Sequence, residues 1–158
     1  MLDKIKELRE KTGAGVMDAK RAIEEALKNS KTQKLEDSKL LEEAEKIIAK
    51  KGLMKAASKS EREVGSGRVQ SYIHNTGRVG AMVEVACETD FVAKTEDFQL
   101  LCKEIAMQIA SMDPEDVEVL LKQAYIRDGS KTIEDLVKAL IAKTGENTKI
   151  VRFVRFAL

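Results

Sequence analysis

The sequence predicts an α+β fold in which a small helical bundle precedes a three-stranded antiparallel sheet packed with helices. Near the N-terminus, three successive stretches repeat apolar residues at helical spacing. A central stretch alternates apolar and polar residues on either side of a short link, and the last stretch is rich in β-branched and aromatic residues. We therefore divide the chain into a helical domain at 1–52, a linker at 53–66 and an α+β core at 67–158.

The N-terminal domain is expected to contain three short helices. The first covers 2–11 and stops at the sequence TGAG, and the second covers 16–28. The polar stretch at 29–38 lacks periodicity and is interpreted as a connection. A third helix follows and ends at Gly52, because glycine is common just past a helix C-terminus. A bundle this small is marginal alone, so we expect it to have a partner or a docking surface.

The clearest strand pattern follows the linker, which is small, basic and weakly patterned and admits helix in its first part. The stretch RVQSYIH alternates apolar and polar residues, and VGAMVEV does so again after the link NTG. Together they predict a β-hairpin with a slightly long loop. Cys87 falls on the same alternating face as Val83 and Val85, so we expect its thiol to be buried.

Residues 95–112 give the most regular helical pattern, with Thr95 as the N-cap. One stripe of this helix is apolar and comprises Phe98, Leu101, Cys102, Ile105, Ala106, Ile109 and Met112. Pro114, the single proline, is expected at the first position of a further helical piece. Another helix should end near Gly145, and the tail TKIVRFVRFAL predicts the strand that completes the sheet.

Composition narrows the class of protein. The 28 Lys and Arg residues nearly balance the 27 Asp and Glu residues, which argues against general polyanion binding. The start MLDKIKELREKTG has no apolar core of signal-peptide length, and no window approaches a membrane span. Cys87 and Cys102 lack the paired spacing of a metal site, so we expect reduced thiols in a cytoplasmic protein, with a bridge between them not required.

Enzyme signatures are mostly absent. His74 is the single histidine, so a nucleophile–base pair would have to join it to Cys87 across the hairpin. A buried, inert Cys87 is the interpretation we favour. One histidine and two distant cysteines do not suggest a metal site, and GVMDAKR lacks the arrangement of a phosphate-binding loop.

Two further features leave alternatives open. The basic stretch KKGLMKAASKSER is either an RNA-contact stripe or, as we favour, a solvated helix face, since acidic residues flank it and no aromatic residues interleave. Phe91 lies between a strand pattern and a helix pattern, where water would normally surround it. From the residues alone we favour packing in a satellite core beside the 95–112 helix over an exposed anchor for a partner.

Three stretches resemble the elongation factor Ts family. LREKTGAGVMDAKRAIEEA is similar to its N-terminal signature, YIHNTGRVGAMVEVACETDFVAK to its core signature, and AKTGEN with the later VRF to a further segment. The family consists of guanine-nucleotide exchange factors for elongation factor Tu, the GTPase that carries aminoacyl-tRNA to the ribosome. The resemblance implies a UBA-like N-terminal bundle, a dimerisation-type core, and neither cofactor nor metal nor covalent chemistry.

The resemblance also implies site residues. Thr89, Asp90, Phe91 and Val92 match the family's exchange element, in which the ring enters the GTPase nucleotide domain and disturbs its Mg²⁺ and phosphate environment. Arg9, Val16 and Met17 match positions that grip a helix of the same domain. The family usually has methionine where this chain has Val16, and often cysteine where it has Ala19. His74 and Gly145 match positions in longer members that touch a second, β-rich GTPase domain.

The length of the chain shapes the expected assembly. Longer members carry two related halves of the core, and this chain has room for one. Its 113–131 region looks shorter than usual, and its 29–38 connection looks longer. The resemblance therefore implies an isologous homodimer joined through the sheets, in which one protomer supplies Phe91 and the other His74. No direct nucleic-acid binding and no membrane association are expected. The alternatives are an RNA-binding protein or a helical adaptor of the translation apparatus without exchange activity.

Overall fold

The computed structural model describes residues 1–29 and 36–158, which divide into two compact units, Met1–Lys55 and Ala56–Leu158. The α+β fold predicted from the sequence is confirmed: three helices come first, and a three-stranded antiparallel sheet packed with helices follows. Of the connection predicted at 29–38, residues 30–35 lie outside the described part of the chain.

The first unit is built from helices α1 (Leu2–Thr12), α2 (Val16–Asn29) and α3 (Asp37–Ala57). The three predicted helices are therefore confirmed. Their apolar faces meet in one core, made of Ile5, Leu8, Ala19, Ala22, Ile23, Ala26, Leu40, Leu41 and Ala44.

The predicted end of the third helix at Gly52 is wrong, because α3 continues to Ala57. A glycine inside a helix costs only about 1 kcal/mol relative to alanine. The residues that follow, LMKAA, are good helix formers, and Ala56 is 2% exposed in the core of the second unit. The first part of the predicted linker is therefore helix.

The sheet of the second unit contains β1 (Ser66–Ile73), β2 (Val79–Cys87) and β5 (Thr148–Ala157) in the order β1-β2-β5. Both neighbours of β2 are antiparallel to it, which confirms the predicted hairpin, with residues 74–78 as its link, and the predicted final strand. Strand β1 passes β2 closely at Gly67, where a Cβ atom would lie 2.3 Å from the Val85 carbonyl oxygen. Only glycine fits there, since φ is +155°.

One face of the sheet is covered by α5 (Glu96–Met112). Thr95 caps this helix as predicted, and its hydroxyl accepts a hydrogen bond from the Phe98 N–H at 3.3 Å. The predicted stripe is buried except at its end, where Met112 is 47% exposed. The helix turns Met112 out of the core because it ends there, and Asp113 adopts a left-handed conformation.

The remaining elements are α4 (Asp90–Ala93), α6 (Val117–Lys122), β3 (Ala124–Tyr125), β4 (Asp128–Thr132) and α7 (Ile133–Thr144). The small β3–β4 hairpin has no counterpart in the prediction. It is held by the buried Gln108 amide of α5, which donates to the Ala124 carbonyl and accepts from the Ile126 N–H, both at 3.0 Å.

The expectation for Pro114 is wrong, because α6 begins later, where Asp116 caps it. The predicted helix end at Gly145 is confirmed by α7.

Both cysteines are buried free thiols in the core of this unit. Burial raises the pKa of the Cys102 thiol from 9.0 to about 12 and also raises the pKa of Cys87. A thiol of raised pKa stabilises the folded state fully below the unfolded pKa. That contribution is lost as the pH rises from about 9 towards the folded pKa.

We predict that Cys102→Ala flattens the alkaline part of the stability profile. Above about pH 9, the Cys102 thiol alone should lower the free energy of unfolding by up to about 1.4 kcal/mol per pH unit in the wild type. Cys102→Ala has no thiol to ionise at this position, so this decrease should be absent. Its smaller side chain makes the variant less stable at neutral pH. Urea denaturation from neutral pH to about pH 11 measures both slopes. Equal slopes in the two proteins would contradict the burial argument.

Candidate functional site

The TDFV segment, residues 89–92, follows directly from the central strand of the sheet. Strand β2 ends at Cys87, and α4 begins two residues after Glu88. Thr89 is the N-cap of α4, and its hydroxyl accepts from the Val92 N–H at 3.4 Å. At the other end of the turn, the Thr95 hydroxyl donates to the Val92 carbonyl at 2.7 Å. The segment is thus a hydrogen-bonded turn fixed at both ends.

Phe91 is exposed at the tip of this turn. Its exposed fraction is 82%, whereas Val92 and Ala93 are 5% and 6% exposed and belong to the core cluster. The expectation that Phe91 packs in a satellite core is therefore wrong. In a single helical turn, burial of Val92 and Ala93 turns the preceding side chain away from the core. The ring stands in water on a fixed support, as an anchor for a partner surface requires.

Asp90 places a negative charge beside this ring. Its carboxylate lies 2.5 Å from the Lys94 Nζ atom, four residues on, and both side chains are exposed. The hydrogen bond from Lys94 lowers the pKa of the Asp90 carboxyl below its ordinary value of 3.8. The carboxylate is consequently ionised at neutral pH and can accept hydrogen bonds from a partner.

The structure places His74 and Gly145 far from each other along the sheet. The register pairs Ile73 with Gly80 at one end of the β1–β2 hairpin and Ser66 with Cys87 at the other. His74 lies in the hairpin link, about 20–25 Å along the strands from Cys87. Gly145, at φ +78°, is the left-handed C-cap of α7 and lies near the TDFV segment. Within one chain, His74 and Phe91 therefore lie at opposite ends of the hairpin.

The same geometry argues against a thiol enzyme. Cys87 is buried at the opposite end of the hairpin from His74, and its Sγ donates to the Thr89 carbonyl at 3.2 Å. The His74 Nδ1 atom instead lies 3.1 Å from the Tyr72 hydroxyl. A nucleophile–base pair between Cys87 and His74 is not formed.

In the first unit, Arg9, Val16 and Met17 surround one turn. Val16 and Met17 open α2 and are 50% and 57% exposed. The exposed Arg9 side chain donates to the Ala14 carbonyl at 3.3 Å, and the Arg9 carbonyl accepts from the N–H of Gly13. An apolar pair and a cation therefore share one surface. Ala19, where the family often has cysteine, is fully buried.

The face of the sheet opposite α5 is apolar and exposed. Its exposed apolar side chains are Val69, Ile73, Met82, Val154 and Phe156, with exposed fractions from 44% to 74%, and the ion pair of Glu84 with Arg152 lies on the same face. The register sets Gly80 between Ile73 and Phe156. A groove of about 330 Å³ lies around Gly80, and its lining includes Ile73, Met82, Val154, Phe156, Leu158 and the polar Arg78.

The basic stretch at 50–62 is largely matched by carboxylates. Lys51 pairs with Glu25 at 2.5 Å, Lys55 with Asp18 at 3.3 Å, and Arg62 with Glu88 at 3.5 Å. Such pairing weakens the positive potential that binding to phosphates requires.

Within 1–29 and 36–158, no group of three or more His, Cys, Asp or Glu side chains could hold a metal ion. No helix in this part of the chain is long and apolar enough to cross a membrane.

Sequence reasoning missed two residues behind the TDFV segment, Glu146 and Asn147. Glu146 binds Thr89, and the buried Asn147 binds the backbone at Ser60 and Arg62. The stretch AKTGEN contains both, but local pattern assigns them no role. Their partners lie more than fifty residues away in the chain, so only the folded structure reveals them.

Comparisons with known proteins agree on one family. A family model described as "Elongation factor TS" matches residues 88–158. Elongation factor Ts of Caldanaerobacter subterraneus subsp. tengcongensis is 41% identical over 197 aligned residues, covering 96% of this chain and 93% of the relative. Those of Anaeromyxobacter sp. (strain K) and Coprothermobacter proteolyticus are 39% and 38% identical, covering 98% of this chain and 86% and 95% of the relatives. The alignments are longer than this chain of 158 residues, so these relatives carry residues without a counterpart here.

We predict that Phe91 and Phe98, both in the second unit, differ sharply in their contribution to stability. Phe91→Ala should change the free energy of unfolding by less than about 0.5 kcal/mol, because the ring is exposed. Phe98→Ala removes a fully buried ring and should cost about 3–5 kcal/mol. Chemical denaturation of both variants beside the wild type measures the difference. A comparable loss in Phe91→Ala would show that its ring packs in a core.

Proposed function

The chain belongs to the elongation factor Ts family and has a translation elongation role; from this premise we propose that it promotes release of GDP from elongation factor Tu. The observation that carries the proposal is the TDFV turn, in which a capped helical turn presents the exposed Phe91 beside the ionised Asp90. The site of action is then the cytoplasm.

The TDFV segment acts as a wedge in this proposal. Phe91 enters an apolar pocket between helices of the GTPase nucleotide domain, and Asp90 accepts hydrogen bonds at its rim. The intrusion disturbs the surroundings of Mg²⁺ and phosphate in the GTPase, which loosens GDP. No bond of the nucleotide is made or broken. The factor binds the nucleotide-free GTPase more tightly than the GDP form, and GDP reciprocally weakens its binding.

The free energy of burying the Phe91 ring is too small to account for the exchange activity alone. Releasing GDP a thousandfold faster requires about 4 kcal/mol off the barrier. Burying one phenylalanine ring supplies about 1.5–3 kcal/mol, and part of this is common to both nucleotide states. Further contacts must therefore hold the wedge at its pocket.

The first unit supplies these contacts in the proposal. The surface of Arg9, Val16 and Met17 docks on a helix of the GTPase nucleotide domain, with the exposed apolar pair buried and the guanidinium at the edge. Docking through a second surface raises the effective concentration of the wedge at its site. Val16 gives a shorter anchor than the methionine usual in the family, but it stays apolar.

A homodimer joined through the sheets is the second part of the proposal. The exposed apolar face with its groove around Gly80 supports it, because exposed side chains such as Ile73 and Phe156 can be buried against the same face of a second copy. A two-fold arrangement repeats each such contact. It also accounts for the positions of His74 and Phe91 at opposite ends of one sheet. One copy supplies Phe91 to the nucleotide domain of the GTPase, and the other supplies His74 to its second, β-rich domain. Gly145 lies on the side of Phe91.

An RNA-binding or adaptor protein of the translation apparatus is the alternative. An RNA-binding protein predicts RNA affinity without the GTPase and steep salt dependence, whereas an adaptor predicts that the TDFV segment is dispensable. The ion pairs of Lys51, Lys55 and Arg62 favour the exchange factor over the RNA-binding alternative.

We predict that Phe91→Ala slows catalysed GDP release from elongation factor Tu by about 10- to 100-fold, the size of one lost apolar anchor. Stopped-flow release of a fluorescent GDP analogue measures the rate. Ile126→Ala, which trims another exposed apolar side chain, is the matched control and should leave the rate unchanged. Equal rates for wild type and Phe91→Ala would move the mechanism away from the TDFV segment. No acceleration by the wild type would contradict the function.

We predict that the wild type sediments as a dimer, at twice the chain mass of 17.6 kDa, at micromolar concentration. Phe156→Asp should yield monomers, because it places a charge on the apolar face beside the groove. Leu2→Asp makes the same change at an exposed site of the first unit and should leave the dimer intact. A monomeric wild type, or dissociation by both variants, would overturn the proposed interface.

A further inference from the structure

The ladder between β2 and β5 stops just before the TDFV segment, at the pair Cys87 and Thr148. Antiparallel register would next oppose residues 88 and 147, and then residues 89 and 146. At these two steps side chains replace the backbone pairing. The Glu88 carboxylate accepts from the Asn147 N–H at 2.7 Å, and the Glu146 carboxylate accepts from the Thr89 N–H at 3.0 Å. Each chain segment thus lends one carboxylate to the backbone of the other.

Glu146 makes a second contact with the same residue. Its Oε1 atom accepts from the Thr89 hydroxyl at 2.6 Å, so both carboxylate oxygens bind Thr89. A hydroxyl has one hydrogen to donate and two lone pairs to accept with. Because Glu146 takes the hydrogen, the Thr89 oxygen is left facing the Val92 N–H as an acceptor, which is the cap of α4.

The loop that carries Glu146 is itself fixed by Asn147. This amide is 1% exposed, and its Nδ2 atom donates to the carbonyls of Arg62 at 2.7 Å and Ser60 at 3.3 Å. Two hydrogen bonds from one buried amide restrict this loop to one geometry. Glu146 therefore reaches Thr89 from a rigid position and not from a free loop.

We propose that Glu146 is a positioning residue that fixes the orientation in which the TDFV turn presents Phe91. Its two hydrogen bonds to Thr89 set the cap of α4, and the cap sets the direction of the exposed ring. The consequence for nucleotide release rests on the proposed function. Glu146 itself need not touch the GTPase.

A double-mutant cycle separates positioning from a direct contact. Glu146→Gln keeps the size of the side chain but leaves one oxygen, so one of the two hydrogen bonds to Thr89 is lost. We expect it to slow catalysed GDP release about tenfold, as one charge-assisted hydrogen bond would. In the Phe91→Ala background the same change should have less than about a twofold effect, because there is no ring left to orient. Glu115→Gln, at an exposed loop position, removes the same charge and should leave the rate unchanged.

Either of two kinetic results would overturn the proposal. If Glu146→Gln slows release equally with and without the Phe91 ring, Glu146 acts through another route. If the wild type accelerates release and Glu146→Gln does so equally well, the orientation of the turn does not depend on Glu146. Unfolding of Glu146→Gln by urea, matched to the wild type, checks that neither result comes from a damaged fold.

Amide hydrogen exchange of the free full-length protein gives a readout that needs no GTPase. The Thr89 and Val92 amides should exchange about tenfold faster in Glu146→Gln, with no change in Glu115→Gln. Unchanged exchange at both amides would overturn the positioning role even if the wild type releases GDP efficiently. Faster exchange together with an inactive wild type would support the positioning of the turn and contradict the proposed function, so the two failures are distinguishable.

Discussion

The rest of the second unit depends on the central strand β2, which is paired on both sides and packed against α5. Its ladders with β1 and β5 fix it in position, and its core face carries Val83, Val85 and Cys87, all at most 1% exposed. The strand then leads within two residues into the TDFV turn. A turn attached to the best-fixed strand of the sheet inherits its rigidity, so an apolar ring can stand in water there without folding back onto the core. This is what an anchor needs: the ordering has been completed before the partner arrives, and binding does not have to supply it.

The same frame separates the surfaces that the proposed function uses. Next to the C-terminal end of β2 lie the Phe91 ring, the ionised Asp90 and the hydrogen bonds between Thr89 and Glu146. The hairpin end carries His74, and the face away from α5 carries the apolar groove at Gly80. A single sheet of this length cannot bring its two ends to one point, which is why the proposed function includes a second copy of the chain.

Much of the fold could be predicted because it depends on local pattern. Alternation predicted the hairpin and the final strand, and helical spacing with Thr95 as a cap predicted α5. The failures have two causes. At Gly52 one glycine does not overcome the helical preference of the residues beyond it, so α3 continues. Elsewhere a distant contact decides, because Gln108 of α5 holds the β3–β4 hairpin. Resemblance supplied the candidate residues, but the exposure of Phe91 ran against the expectation from the residues alone. Glu146 was missed because its partner Thr89 is 57 positions away and becomes visible only in the folded structure.

The central claim is that Phe91 discriminates between two states of the GTPase. It is tested most directly by titrating wild type and Phe91→Ala against nucleotide-free and GDP-bound elongation factor Tu and comparing the two dissociation constants. We expect the substitution to weaken binding to the nucleotide-free form about tenfold or more and hardly to affect binding to the GDP-bound form, so that the two dissociation constants become more alike. Equal weakening of both forms would contradict it, because a contact made equally in both states cannot drive GDP out.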